Sequence, residues 1–343
     1  MKKKIIAALL CICMAVGIMA GCKKDDSSEK ISKEEPTQER EDNNSSEEGT
    51  ELTGEGKKIG ITINGLDSRA AAKIFEKSQE MAKALGFEVM ANNANGTIGM
   101  ADDIENFTEA GCDVIAMINA DASTVTSAVK EASDKGVKII SNESGYMEGV
   151  STLIGMDNYS VGAQMAQDIL SSIGYSGKIV TTGHNEQPSV RAHYKIYDLI
   201  IQEYANIEKV GTVYTTYPGT TEVTYNGLSA LFAEHPDIKA VMNSQDLEAL
   251  GVIQVTKELG IYPDVKCSGL DGELDVLYDI KNGGAVVSTY AFDSNAIAEI
   301  IVNSALKLAN GQDVPSFQES PYSKITKENV DQFIAEIEAE ESK

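Results

Sequence analysis

From Lys57 onward, short runs of β-type residues alternate with ten- to twenty-residue stretches of helical spacing, and this alternation restricts the chain to few architectures. Ten candidate strands are legible: KKIGITI, FEVMA, DVIAMIN, VKIIS, LIGMD, KIVTTG, KVGTVYT, IKAVMN, VKCSGLD and AVVSTY. Between them, apolar residues recur at helical intervals, as in Ile74, Met81 and Leu85 or Leu228, Leu231 and Phe232. Parallel neighbours need a crossover long enough to hold a helix, so the pattern means βαβ units and parallel sheets. About 287 residues of it exceed what one core accommodates, and two lobes are expected. In open α/β sheets ligands sit at the carboxyl ends of the strands, which draws attention to TINGLDSRAAAK, Thr62 to Lys73, a strand end, a polar loop and a helix start.

The chain ahead of this region has a different character. Met1-Lys2-Lys3-Lys4 precedes an unbroken small and apolar stretch from Ile5 to Gly21, and Cys22 is followed at once by Lys23-Lys24-Asp25-Asp26. That is a signal-peptide layout, at the lower limit of the length a spanning helix needs. Met19-Ala20-Gly21-Cys22 resembles the bacterial lipobox, which implies cleavage before Cys22 and a lipid on it. Residues 22–56 then form the lipidated cysteine and an acidic, polar tether with only Ile31 and Leu52 as large apolar residues, too few to fold. Cys11 and Cys13 leave with residues 1–21, so Cys112 and Cys267 remain, each beside an apolar run and each expected to be a buried small hydrophobe.

The net charge of −24 becomes −27 when Lys2, Lys3 and Lys4 are lost, which argues against a nucleic-acid partner, since phosphate binding needs a basic face. His184, His193 and His235 form no metal-binding motif, no calcium loop occurs, and neither the phosphate-loop nor the G-x-S-x-G pattern is satisfied. No metal, no cofactor and no enzymatic activity are expected.

Several stretches, in order and spacing, resemble the ribose/galactose type of periplasmic sugar-binding protein: KKIGITI with KALGFEV, AGCDVIAMINADASTVTSAVKEASDKGVKII, IGMDNYSVGAQMAQDI, HPDIKAVMNSQDLEALGVIQVTKELG, and VKCSGLDGELDVLYDIKNGGAVVSTYAFD. The resemblance runs from Lys57 to about Phe333. It implies an α/β fold of two doubly wound parallel-sheet lobes joined by a three-crossing hinge, the type I periplasmic binding protein. The N-terminal lobe would comprise residues 57–157 plus 292–317 and the C-terminal lobe 158–291 plus 318–343, with crossings near Asp157, Ala291-Phe292 and Phe317. The function implied is ligand capture for an ABC importer, with an ABC permease as partner, a monosaccharide-like ligand, and the membrane reached through the N-terminal lipid. A ligand-sensing subunit for a membrane histidine kinase is the alternative.

The same resemblance supplies the candidate site. In TTGHNEQPSVRAHY, His184, Glu186 and Arg191 follow the order of galactose-binding relatives, with one extra residue before the arginine. An arginine beside an acid can donate a fork of hydrogen bonds to hydroxyls while the acid accepts. Asp271 ends a strand where the family places a ligand-contacting aspartate, and it is equally placed to cap the next helix. Gln245 stands where relatives carry an asparagine, with Asp246 as the helix cap, and Asn142 matches an asparagine of the galactose type. Tyr217 falls close to a stacking aromatic of that type. Ser68 matches a polar contact, while Ala70 stands where relatives carry a second stacking aromatic. That wall is then left open or covered by Phe292, with Arg69 directed into the vacated space.

Overall fold

The computed structural model describes residues 52–185 and 187–342. The apolar segment 5–21, the proposed lipidation site Cys22, the tether up to Glu51, and Glu186 lie outside them. The described part of the expected tether is already docked: Gly54 N donates to Leu85 O at 2.8 Å, and Asn310 Nδ2 donates to Thr53 O at 3.1 Å. The boundary at Gly56 is therefore too late, because Gly54 is buried against Phe87 where no side chain would fit.

All ten expected strands form. The first half runs β1 (Lys58–Ile63), α1 (Arg69–Ala84), β2 (Glu88–Asn93), α2 (Thr97–Glu109), β3 (Val114–Ile118), α3 (Ala122–Asp134), β4 (Lys138–Asn142) and β5 (Val150–Gly155). The second half runs α4 (Asn158–Ser172), β6 (Gly177–Gly183), α5 (Pro188–Ile201), β7 (Ile207–Tyr214), α6 (Thr220–Glu234), β8 (Ile238–Met242), α7 (Asp246–Glu258), β9 (Cys267–Leu270), α8 (Leu274–Lys281) and β10 (Val286–Phe292). The chain ends with α9 (Ser294–Ala309), β11 (Phe317–Glu319), β12 (Tyr322–Ile325) and α10 (Val330–Glu341).

One sheet has the order β11-β5-β4-β3-β1-β2, with every pairing parallel. Its inner strands β1, β3 and β4 are buried on both faces, as a parallel sheet covered on two sides requires, while the edge strands β2 and β11 are largely exposed. Val114, Ala116 and Ile118 of β3 join the core under α1 and α9, while Ile115 and Met117 join the core under α2 and α3. The second half builds β7-β6-β8 and β12-β10-β9, linked by a single bridge between Ala240 and Lys266. There, Ile179, Ala240 and Met242 pack under α4 and α5, and Val180, Val241 and Cys267 pack against α6, α7 and α8. Cys112 and Cys267 are both buried free thiols.

Between the two halves the chain passes three times: after β5 into α4, after β10 into α9, and between β11 and β12. Phe317 itself pairs with Leu153 in the six-stranded sheet, so the last passage lies at Ser320-Pro321 rather than at Phe317. β12 runs antiparallel to β10, a departure from wholly parallel lobes.

Candidate functional site

Both halves present the carboxyl ends of their parallel strands to one shared cleft. Ser68 caps α1 beyond β1, its hydroxyl accepting from Ala71 N at 3.3 Å. Asn142 is the last residue of β4, Gln187 precedes α5, Tyr217 follows β7, Gln245 precedes α7, Asp271 follows β9 and Phe292 ends β10. Ser68, Asn142, Tyr217, Gln245, Asp271 and Phe292 line one recess of about 40 Å³, together with Asn119, Glu143, Gln187 and Ser189. A second recess of about 20 Å³ shares Ser68, Asn119, Gln187 and Tyr217 with it and adds Asn64 and Asp67.

Two buried acids hold these strand ends in place. Glu248, one turn into α7, accepts from Thr182 Oγ1 at 2.6 Å and from Ser244 N at 2.7 Å through one oxygen, and from Thr215 Oγ1 at 2.8 Å through the other. It thus ties the ends of β6, β7 and β8 together, and burial raises its carboxyl above the ordinary range. Asp246 does not cap α7 as the sequence suggests. Its carboxylate reaches β10 and the loop after β9 instead, accepting from Thr289 Oγ1 at 2.8 Å and from Glu273 N at 2.7 Å, and burial pushes it up to about 8. Gly269 is dictated by this arrangement, because a Cβ there would stand 1.7 Å from Asp246 Oδ1.

Asp271 does not serve as a helix cap either, since the cap position of α8 belongs to Glu273. Asp271 has φ 114°, a region costly for a residue with a Cβ, and its N–H donates to Tyr290 O at 3.0 Å. Its carboxyl is held well above the usual carboxylate range, first by burial and then by the charges of Asp246 and Glu273, while the Ser68 hydroxyl across the cleft opposes the shift. Gly272 follows at φ 78°, packed so closely on Ala291 that a side chain would collide.

Two polar side chains at the recess have buried atoms with no hydrogen-bond partner. Asn142 Nδ2 donates to Ile154 O at 3.2 Å, which orients the amide and leaves Oδ1 unpaired. Gln245 Oε1 accepts from the Tyr217 hydroxyl, leaving Nε2 unpaired. Such groups are costly when buried unless something else satisfies them.

The remaining sequence candidates lie elsewhere. His184 is fully buried behind the recess, its ring 5.2 Å from that of Tyr217 and its Nδ1 accepting from Gln187 N at 3.2 Å. Burial drives its pKa down to about 4, so it is neutral and acts as a support for Tyr217 and Gln187. Arg191 turns to Asn185 O and lines a separate groove of about 330 Å³ near the passage into α4. Arg69 does not fill the space beside Ala70. It reaches across the cleft, donating from Nη2 to Gly272 O at 3.1 Å, while its backbone N–H donates to Glu273 Oε1 at 2.7 Å. Phe292 stands in the recess wall instead.

Sequence reasoning missed Asn119, Glu143 and Gln187. The extra residue in TTGHNEQPSV was the available signal for Gln187, since it carries the loop one step further before Pro188 starts α5. Asn119 and Glu143 adopt φ 58° and 51°, immediately after β3 and at the end of β4. Non-glycine residues in that region just past strand ends are suspect sites, but nothing in the sequence marks the conformation.

Two α/β halves presenting strand ends across a shared recess, linked by three chain passages, are the architecture of cleft-type binding proteins. The chain belongs to the periplasmic binding protein domain family, whose model matches residues 59–313. The ribose import binding protein of Bacillus subtilis is 24% identical over 267 residues, covering 77% of this chain and 85% of that protein. The D-xylose-binding periplasmic protein of Escherichia coli is 26% identical over 265 residues, covering 75% and 79%. Among solved structures, an ABC transporter solute-binding protein from Bacillus halodurans with bound myo-inositol shares the fold with a TM-score of 0.73 and 23% identity, covering 82% of this chain and 98% of that one.

Proposed function

We propose that this protein is the extracytoplasmic solute-binding component of an ABC importer, anchored through a lipid on Cys22 and capturing a monosaccharide-like ligand of the galactose, glucose or ribose type. The observation that carries the proposal is the convergence of strand-end side chains from both halves on one recess, where Asn142 Oδ1 and Gln245 Nε2 are unpaired. Hydroxyls are the groups that satisfy such amides, and the rings of Tyr217 and Phe292 suit the C–H faces of a sugar. The named binding partners of its relatives, ribose and D-xylose, point the same way.

A recess of about 40 Å³ is far smaller than the ~300–1,000 Å³ of ordinary small-molecule sites, so the halves part to admit ligand and close on it. Ser68, Asn142, Gln187, Gln245 and Asp271 make the polar contacts in this reading, Arg69 latches the halves, and no conversion of the ligand is involved. A thermal-shift screen of the mature chain against pentoses, hexoses and polyols tests it. A ligand present at a hundred times its dissociation constant adds about 2.7 kcal/mol of stability, and no stabilisation by any of them would refute the reading. The anchor is tested separately by fractionation of Cys22→Ala, which releases the protein from the membrane if the lipid holds it and leaves it there if residues 5–21 do.

A further inference from the structure

We propose that the ligand carries an ammonium group beside its hydroxyls, so that a protonated amino sugar or amino polyol, rather than a neutral sugar, is the preferred occupant of this recess. The inference rests on the recess being the ligand site. Asp271 and Glu143 both line it and Asp67 lines the adjoining recess, while neither lining includes a lysine, arginine or histidine. The cations nearby are engaged or turned outward. Arg69 donates from Nη2 to Gly272 O, with its buried Nε unpaired outside the lining, Arg191 donates to Asn185 O, and Lys73 pairs with Glu340 outside the recess.

Burial and mutual crowding hold the lining acids toward their neutral forms; a ligand that brings a positive charge lets them ionise, whereas a neutral sugar brings hydrogen bonds but no charge. The acids burden one another here: Asp246, Glu273 and Glu143 all oppose ionisation of Asp271. The unpaired amide oxygen gives a second and independent indication. Asn142 is 1% exposed and its Oδ1 offers the recess an acceptor, as the Asp271 carboxyl does, while both Glu143 oxygens are already bonded. A lining rich in acceptors calls for a ligand rich in donors. An ammonium group supplies three N–H donors together with the missing charge. The aromatic faces of Tyr217 and Phe292 add a surface on which a cation is attracted.

Calorimetry with matched pairs decides the matter: D-glucose with D-glucosamine, D-galactose with D-galactosamine, and sorbitol with 1-amino-1-deoxysorbitol, with the N-acetylated amino sugars as uncharged controls. The proposal requires at least one amine to bind tenfold or more tighter than its hydroxyl parent, and N-acetylation to remove the gain. It also requires Asp271→Asn, or Glu143→Gln should the first variant not fold, to shrink the amine-to-hydroxyl ratio toward one. Neutral parents binding as tightly as their amines, or an unchanged ratio in a folded variant, overturns the ammonium while leaving the sugar-binding reading intact. If neither member of any pair binds, both fall.

Discussion

Glu143 offers a sharp test of how the recess is built, through the substitution Glu143→Gln. Its carboxylate is buried where the halves join, accepting from Met156 N at 3.0 Å and Asn158 Nδ2 at 3.2 Å, with the Ser320 side chain also facing it. Desolvation outweighs these bonds and pushes its pKa from 4.5 up to about 7. A shift of about 2.5 units corresponds to roughly 3 kcal/mol of differential stability. Below pH 4.5 the group is protonated in folded and unfolded chains alike and nothing is lost. As pH rises from 4.5 to 7 the unfolded chain releases the proton while the fold retains it, so stability falls, and above 7 the loss is complete. Gln cannot ionise, so melting temperatures of parent and variant, taken without ligand from pH 4 to pH 8.5, isolate the effect. Asp246, also raised, is present in both proteins and largely cancels. At roughly 2–4 °C per kcal/mol, the parent-minus-variant difference should drop by about 6–12 °C across that range. A difference flat to within a degree would refute the burial of an ionisable group at this junction.

Three further outcomes follow from the same geometry. Asp271→Gly should weaken ligand binding about ten- to a hundredfold through loss of a charged hydrogen bond while leaving the melting temperature no lower than the parent's, since φ 114° costs an aspartate about 1–3 kcal/mol that glycine does not bear; a drop of several degrees contradicts the strain. Arg69→Ala removes a bond between the halves, so small-angle scattering should show a larger radius of gyration without ligand, with affinity reduced about three- to tenfold, whereas an unchanged radius means the latch is not one. Gly269→Ala drives a Cβ into the Asp246 carboxylate and should cost about 3 kcal/mol in a denaturation measurement; a neutral result would mean that Asp246 is free to move.

The fold was legible because its signal alternates: β-type runs, the inner ones apolar on both faces, separated in most cases by helices with one apolar side. β11 and β12 escaped because strands of three and four residues around Pro321 are too short for any period to show. At the site, residues fixed by the strand end itself, such as Asn142, Gln245 and Asp271, stand at the recess. Residues in loops of altered length do not follow their counterparts. The inserted residue ahead of α5 brings Gln187 forward and leaves His184 behind Tyr217 and Arg191 outside. Asp246 and Glu248 carried no sequence sign of their roles, because what they bind are backbone and hydroxyl groups of distant strands. Exposed helix-start acids and buried ones read alike until the neighbours are placed.

The central claim is that the recess between the halves is where ligand is held. A crystal structure of the mature domain with the most stabilising sugar, polyol or amine tests it most directly. The account predicts density for the ligand within hydrogen-bonding distance of Asp271, Asn142 and Gln245, enclosed by Tyr217 and Phe292. Density in the outer groove beside Arg191 and Lys195, with the recess left as it is, would contradict it.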